Sequence, residues 1–238
     1  MKLACASGSF ARDLERGDLT QLEFLDLCAR ELACDGVVLD VRHFPRTDDD
    51  YLAQVKKMAT DRGLCIAALA DATFFSAAAE RMSEVLRYAA ALNSPLVAGP
   101  LARETECSWS DQLARLGAAT ALAKAVNVTL AVRNAPQTFA ATTHDMKRVA
   151  KESDSAWLRY GPEPAALDAA SDAAALASNA VLLWSDARTQ TQTSIAATIE
   201  AFAGFRGHLA LDDATGESSV AALSAAIREW RTGMLNRR

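Results

Sequence analysis

V-T-L-A-V-R-N-A-P-Q-T-F, residues Val128 to Phe139, is the stretch whose reading decides the fold. Val128 to Val132 is an apolar, β-branched run of the kind that forms a strand covered on both faces of a parallel sheet. The run ends on Arg133 and Asn134, and Pro136 follows. Polar residues at the carboxyl end of a buried strand are where α/β proteins keep their chemistry.

Working outward, the same strand-then-helix alternation appears on both sides. Upstream, Trp109 to Val126 has the spacing of a long helix and Leu96 to Ala98 that of a strand. Before them lie a helix over Ala77 to Leu92, a strand over Cys65 to Leu69, and a helix over Asp48 to Arg62 closed by Gly63. Earlier still come Val37 to Asp40 as a strand, Thr20 to Leu32 as a helix and Leu3 to Ser7 as the first strand. Downstream, a helix is expected near Thr143 to Lys151, a strand at Trp157 to Tyr160 and a helix from Pro164 to Leu176. Val181 to Trp184 and His208 to Leu211 are the last strands, followed by helices over Ser194 to Phe202 and Ser218 to Trp230. Strand approaches at Leu3, Gly36, Leu64, Pro95, Val128, Ala156, Asn179 and Gly207 recur about every 29 residues, enough for one β/α unit. Eight such units in 238 residues predict an α/β protein with one domain, residues 1–238, folded as a single (β/α)8 TIM barrel. Neither a G-x-G-x-x-G fingerprint nor a P-loop argues for an open nucleotide-binding sheet.

Composition narrows the function classes. Half of the residues are hydrophobic and 23% are charged, yet no apolar run approaches the roughly 20 residues of a membrane span. Met1 to Ala6 reads as a strand rather than a leader, because polar Ser7, Ser9, Arg12 and Asp13 follow at once; the expected location is cytoplasmic. Five cysteines without a C-x-x-C pair suit buried thiols better than disulfides or zinc. A net charge of −5 argues against nucleic acid as a partner. Ala-rich outer helices leave a homodimer open.

In such a barrel the chemistry sits at the carboxyl ends of the strands. Those ends carry Ser7 and Ser9; Asp40, Arg42 and His43; Asp71; Pro100 and Arg103; Arg133 and Asn134; Tyr160 and Glu163; Ser185 and Asp186; Asp212 and Asp213. A ring of acids and arginines makes a polar cup suited to a small hydroxylated molecule rather than a lipid. The lysines fall at the barrel bottom or on helices, which leaves a Schiff-base aldolase without its amine.

The segments K-L-A-C-A-S-G-S-F, L-E-F-L-D-L-C-A-R-E-L-A-C-D-G-V-V-L-D-V-R-H-F-P and V-T-L-A-V-R-N resemble the xylose isomerase-like TIM barrels, the sugar-phosphate isomerase/epimerase superfamily. The resemblance implies a divalent metal held by a glutamate after strand five, an aspartate after strand six, a histidine near strand seven and a glutamate after strand eight. Matched by position, these places hold Arg133, then Gly161 (or Glu163 after a slip of two residues), then Leu183 or Trp184, and finally Asp212. A guanidinium carries no lone pair to donate, so the expectation is a mouth with no metal and no other cofactor.

The expected proton-moving groups are Asp40, His43, Glu163 and Asp212. Arg133, Asn134, Ser7, Arg42, Phe75, Trp184 and Asp186 are expected to contact the ligand. Arg133 has two readings: an anchor for a substrate oxyanion, carboxylate or phosphate, or a structural ion pair that plugs a dead site. His43 is equally readable as a loop residue bonded to the backbone, and Phe75, with Phe74, as core filling. The resemblance implies an isomerase or epimerase for a small sugar, polyol or keto acid. The alternative is a barrel that binds without turnover.

Overall fold

The computed structural model describes residues 1–167 and 173–236. Eight parallel strands form one sheet in the order β6-β5-β4-β3-β2-β1-β8-β7: β1 Lys2–Ala6, β2 Gly36–Asp40, β3 Cys65–Ala70, β4 Leu96–Pro100, β5 Thr129–Arg133, β6 Leu158–Tyr160, β7 Leu182–Asp186 and β8 His208–Asp212. The two ends of that sheet meet through backbone bonds. The Val181 N–H donates to the Tyr160 carbonyl and the Trp184 N–H to the Pro162 carbonyl, each at 2.9 Å. The fold is a single (β/α)8 TIM barrel.

Among the described residues, an α-helix lies in every connection but that from β6 to β7, the usual way of joining parallel neighbours. The helices that lie wholly among the described residues are α1 Ala11–Arg16, α2 Gln21–Arg30, α3 Asp49–Asp61, α4 Ala79–Ala91, α5 Trp109–Ala125, α6 Thr143–Ser153, α7 Gln192–Ala201 and α8 Val220–Leu235. Their starts are written in the sequence: Thr20 with Glu23, Ser108 with Asp111 and Thr142 with Asp145 each close a capping box. The expected helix from Pro164 to Leu176 is not continuous. A 3-10 turn occupies Pro164–Ala166, and residues 168–172 lie outside the described residues. Short α1, with its 3-10 lead-in Ser7–Phe10, is an element the apolar spacing did not announce.

Alternation along the strands sorts two cores. Leu3, Cys5, Val37, Leu39, Val97, Leu130, Val132, Leu209 and Leu211 face the helices in the larger apolar cluster. Ala4, Ala6, Val38, Ala68, Ala98, Ala131 and Ala210 belong to a smaller cluster inside the barrel, with Leu96, Leu182 and Trp184 as its bulky members. Inward alanines fill little volume, so Trp184 closes the barrel beneath the mouth. Residues in phase with the inward alanines point to the same interior. Arg133 follows Ala131 by two, and Asp212 follows Ala210 by two. Among the described residues, no helix is long and apolar enough to cross a membrane.

Candidate active site

The mouth of the barrel holds a cavity of about 490 Å3. Its floor is Trp184 with Arg133 above it, the guanidinium carbon 4.2 Å from the indole centroid. This is cation–π stacking, favoured because the ring face is electron-rich. Arg133 Nη1 donates to Asp212 Oδ2 and Nη2 donates to Glu163 Oε2, both at 2.8 Å. The three side chains are only 23%, 14% and 16% exposed, so the bonds are weakly screened. Burial works against the charge on Arg133, but Asp212 and Glu163 outweigh it and its pKa is raised.

Asn134 positions one partner of this cluster. Its Oδ1 accepts the Glu163 backbone N–H at 2.7 Å and its Nδ2 donates to the Glu163 carbonyl at 3.4 Å. Asn134 is therefore a brace for Glu163 and does not itself line the cavity. On the other side, Gly8 leaves room for Asp212: a Cβ there would meet Asp212 Oδ1 at 3.1 Å.

Asp40 lines the cavity with its carboxylate already held. Arg42 reaches it through Nε at 3.1 Å and Nη2 at 2.7 Å, and the Arg42 N–H adds a bond at 2.9 Å. The hydrogen bonds that Arg42 donates to the Asp40 carboxylate are the main reason the Arg42 pKa is raised. Ser7 and His43 stand behind this pair. Ser7 Oγ accepts the Asp40 N–H at 2.9 Å and lies 3.2 Å from His43 Nδ1. Neither lines the mouth, and His43 stands behind the end of β2.

Two further expectations meet a different environment. Phe75 is fully buried, edge-on to Phe74 with ring centroids 5.1 Å apart, and belongs to the core below the rim. The wall over a ligand that it was expected to form is not there, because the 3-10 turn Phe74–Ser76 turns both rings inward. Asp186 does not line the cavity, and its Oδ1 accepts the Arg188 N–H at 2.8 Å.

The mouth also contains residues that the sequence reading passed over. Arg12 and Glu15 come from α1, and Glu217 follows β8; Arg12 and Glu217 pair at 2.6 Å. The signal was Arg16-Gly17, since a glycine at φ +76° stops a helix there. Two strand-end acids prove to be turn anchors. Asp71 Oδ1 accepts from Thr73 N–H and Oγ1, and Asp213 holds Thr215 and Ser218 in the same way. Burial would raise the Asp213 carboxyl, but the bonds from Ser218 and Thr215 hold its pKa below the usual range. Among the described residues, no three His, Cys, Asp or Glu side chains gather as a metal-binding group.

No protein-family model and no curated protein matches the chain. Solved structures do. D-psicose 3-epimerase, crystallised in the presence of D-fructose, superposes with a TM-score of 0.75 at 12% identity over 100% of this chain and 98% of that one. The probable 3-DHS dehydratase AsbF of Bacillus anthracis, involved in petrobactin synthesis, gives 0.74 at 12% over 96% and 98%. A xylose isomerase domain protein from Planctomyces limnophilus gives 0.71 at 10% over 89% and 91%. The (β/α)8 barrel expected from the sequence is thus the fold observed, and these structures share it. An epimerase and a dehydratase among these structures mean that the shape alone does not choose a reaction.

Proposed function

We propose that the mouth binds a small, uncharged polyhydroxylated or keto compound, and that Arg133 occupies the place a divalent cation takes in related barrels. The observation that carries this reading is the Glu163–Arg133–Asp212 bridge stacked on Trp184. A metal does not fit this donor set. The Glu163 and Asp212 carboxylates are both engaged by a guanidinium, and the side chains of Gly161 and Trp184 supply no donor atom at the remaining positions.

Charge supports a neutral ligand over a phosphate. Each arginine that lines the mouth already has a carboxylate partner: Arg12 with Glu217, Arg42 with Asp40, and Arg133 with its two acids. Glu15, Asp71 and Asp213 line the same cavity, so an added phosphate would meet excess negative charge. Of the two roles expected for Arg133, recognition of a phosphate or carboxylate is therefore the weaker. A guanidinium has five N–H donors, and two are committed to Asp212 and Glu163. The others are available to a ligand carbonyl or hydroxyl.

Isomerisation and epimerisation next to a carbonyl share one demand. A base removes the proton on the adjacent carbon and a cation or donor holds the oxygen that becomes negative. Asp212 with Arg133 supplies that pairing, while Glu163, which does not line the cavity, holds Arg133 in place. A specific observation favours the second reading, binding without turnover: Asp40, Glu163 and Asp212 are all already hydrogen-bonded to arginines. Incubating the protein with D-fructose or D-tagatose in D2O separates the two. Deuterium entering carbon next to the carbonyl marks an enzyme, and saturable binding without exchange marks a binding barrel. No saturable binding of any neutral ketose or polyol, with tight binding of their phosphates, would overturn the proposal.

A further inference from the structure

A groove of about 550 Å3 lies on the outside of the barrel, between α7 and α8. Ile195, Ala196, Ala225 and Gly233 give it apolar walls, and a Cβ at Gly233 would come within 2.8 Å of Ile195 Cγ2. Arg228 and Glu229 also line it, both exposed. Their hydrogen-bond partners are neutral: Arg228 Nη1 donates to Ser224 Oγ at 2.7 Å, and Glu229 Oε2 accepts a long bond from Gln190 Nε2 at 3.3 Å.

The rest of the outward face of α8 is ordered around these two charges. Leu223, Ala226, Ile227 and Trp230 are the buried side of the helix. At about 100° per residue, Ala221, Ala225, Arg228, Thr232 and Leu235 fall on the opposite side, in one stripe ~21 Å long. Leu235, at one end, is 66% exposed, the most of any large apolar side chain among the described residues. Ala221 and Ala222, at the other end, are small and exposed.

Two copies of α8 laid antiparallel across a two-fold axis bring Arg228 of each against the partner's Glu229. Leu235 lies six residues beyond Glu229 and Ala222 six residues before Arg228, so the same register seats each Leu235 on the partner's Ala222, with Ala221 beside it. Ala225 and Thr232, three residues to either side of the charges, then face each other. A surface that matches itself under a two-fold rotation is what a closed, isologous dimer requires, and an unrelated partner would not call for that symmetry.

We infer that the outward face of α8, with the groove beside it, is the interface with a second copy of this chain, paired through Arg228 with Glu229 and through Leu235 with Ala222. It is independent of what the mouth binds, because none of these side chains lines the mouth.

Sedimentation velocity of the full chain over a concentration series is the test, and a reversible monomer–dimer equilibrium is expected. Arg228→Glu, which sets acid against acid across the axis, should weaken the dimer by about tenfold or more. Adding Glu229→Arg to that variant returns opposite charges to each other and should restore it. Leu235→Glu should weaken it as well, and added salt should weaken the wild-type dimer but not abolish it. All these positions are on the surface, so thermal unfolding should be unchanged by the substitutions. A wild-type chain that stays monomeric up to about millimolar concentration, the limit of weak specific association, would overturn the inference. So would a dimer indifferent to both Arg228→Glu and Leu235→Glu, the result for pairing through another face, or one that the charge swap fails to restore.

Discussion

Arg133, at the end of β5, reaches across the barrel mouth to Asp212, at the end of β8, with Nη1 and Oδ2 2.8 Å apart. The bond spans the barrel because both side chains share the inward phase of their strands, two residues beyond Ala131 and Ala210. Removing the arginine would leave Asp212 and Glu163 facing one another without a counter-charge. Arg133→Leu should therefore destabilise the fold by roughly 2–4 kcal/mol, read as a lower urea midpoint. Adding Glu163→Gln and Asp212→Asn to that variant should recover most of the loss. A triple variant no more stable than Arg133→Leu would show that the charges are not the cause.

Trp184 carries the guanidinium and fills the alanine-lined interior. Trp184→Ala should cost about 3–5 kcal/mol, because the small neighbours cannot collapse into the space. Trp184→Phe should keep the fold and lose only part of the stacking, about 0.5–2 kcal/mol. Thermal unfolding of the two variants side by side checks the order. Equal stability of both would mean that the indole is not the interior plug.

Burial holds the pKa of His43 below its ordinary 6.5, against the pull of Asp40 and Glu15 and with the push of Arg42. Burial lowers His208 as well, where Lys2 and the N-terminus also oppose the charge and Asp35 favours it. The unfolded chain thus takes up these protons more readily than the folded one. Their stabilising contribution is complete above the unfolded pKa and is lost as pH falls from there through the depressed folded values. The slope is at most about 1.4 kcal/mol per pH unit for each histidine. Urea midpoints measured from pH 7.5 down to 5 should fall, and His43→Gln should flatten the fall. An unchanged slope in that variant would place the titration elsewhere.

Gly99 lies on β4 beneath the rim, and a Cβ there would sit 2.3 Å from the backbone carbonyl oxygen of Asp71. Backbone cannot yield as a side-chain tip can. Gly99→Ala should lose on the order of 2 kcal/mol or more and disturb the Asp71 turn at the rim. A stable Gly99→Ala protein with an unaltered mouth would contradict the packing described.

Much of this architecture was legible in the chain itself. Buried strands such as Val37 to Asp40 and Val128 to Val132 are continuous apolar runs, and capping pairs such as Thr20 with Glu23 mark where helices begin, so eight repeats could be counted. Arg133 at the end of β5 was legible too, since strand phase fixes its direction. What escaped was geometry that depends on turns. Phe75 reads the same whether its 3-10 turn aims it at the ligand or into the core. Arg12 and Glu15 ride on a six-residue helix too short to show a period. Gln21 reads as an ordinary first-turn residue, and only three dimensions show its amide buried without a partner among the described residues.

Whether a side-chain cation holds the place of a metal ion is tested most directly by titrating the purified protein with Mn2+ under electron paramagnetic resonance. The free Mn2+ signal should stay undiminished with the wild-type chain, and Arg133→Glu, which adds a third carboxylate beside Glu163 and Asp212, should gain a site. Stoichiometric Mn2+ bound by the wild-type protein and lost in Asp212→Asn would contradict it.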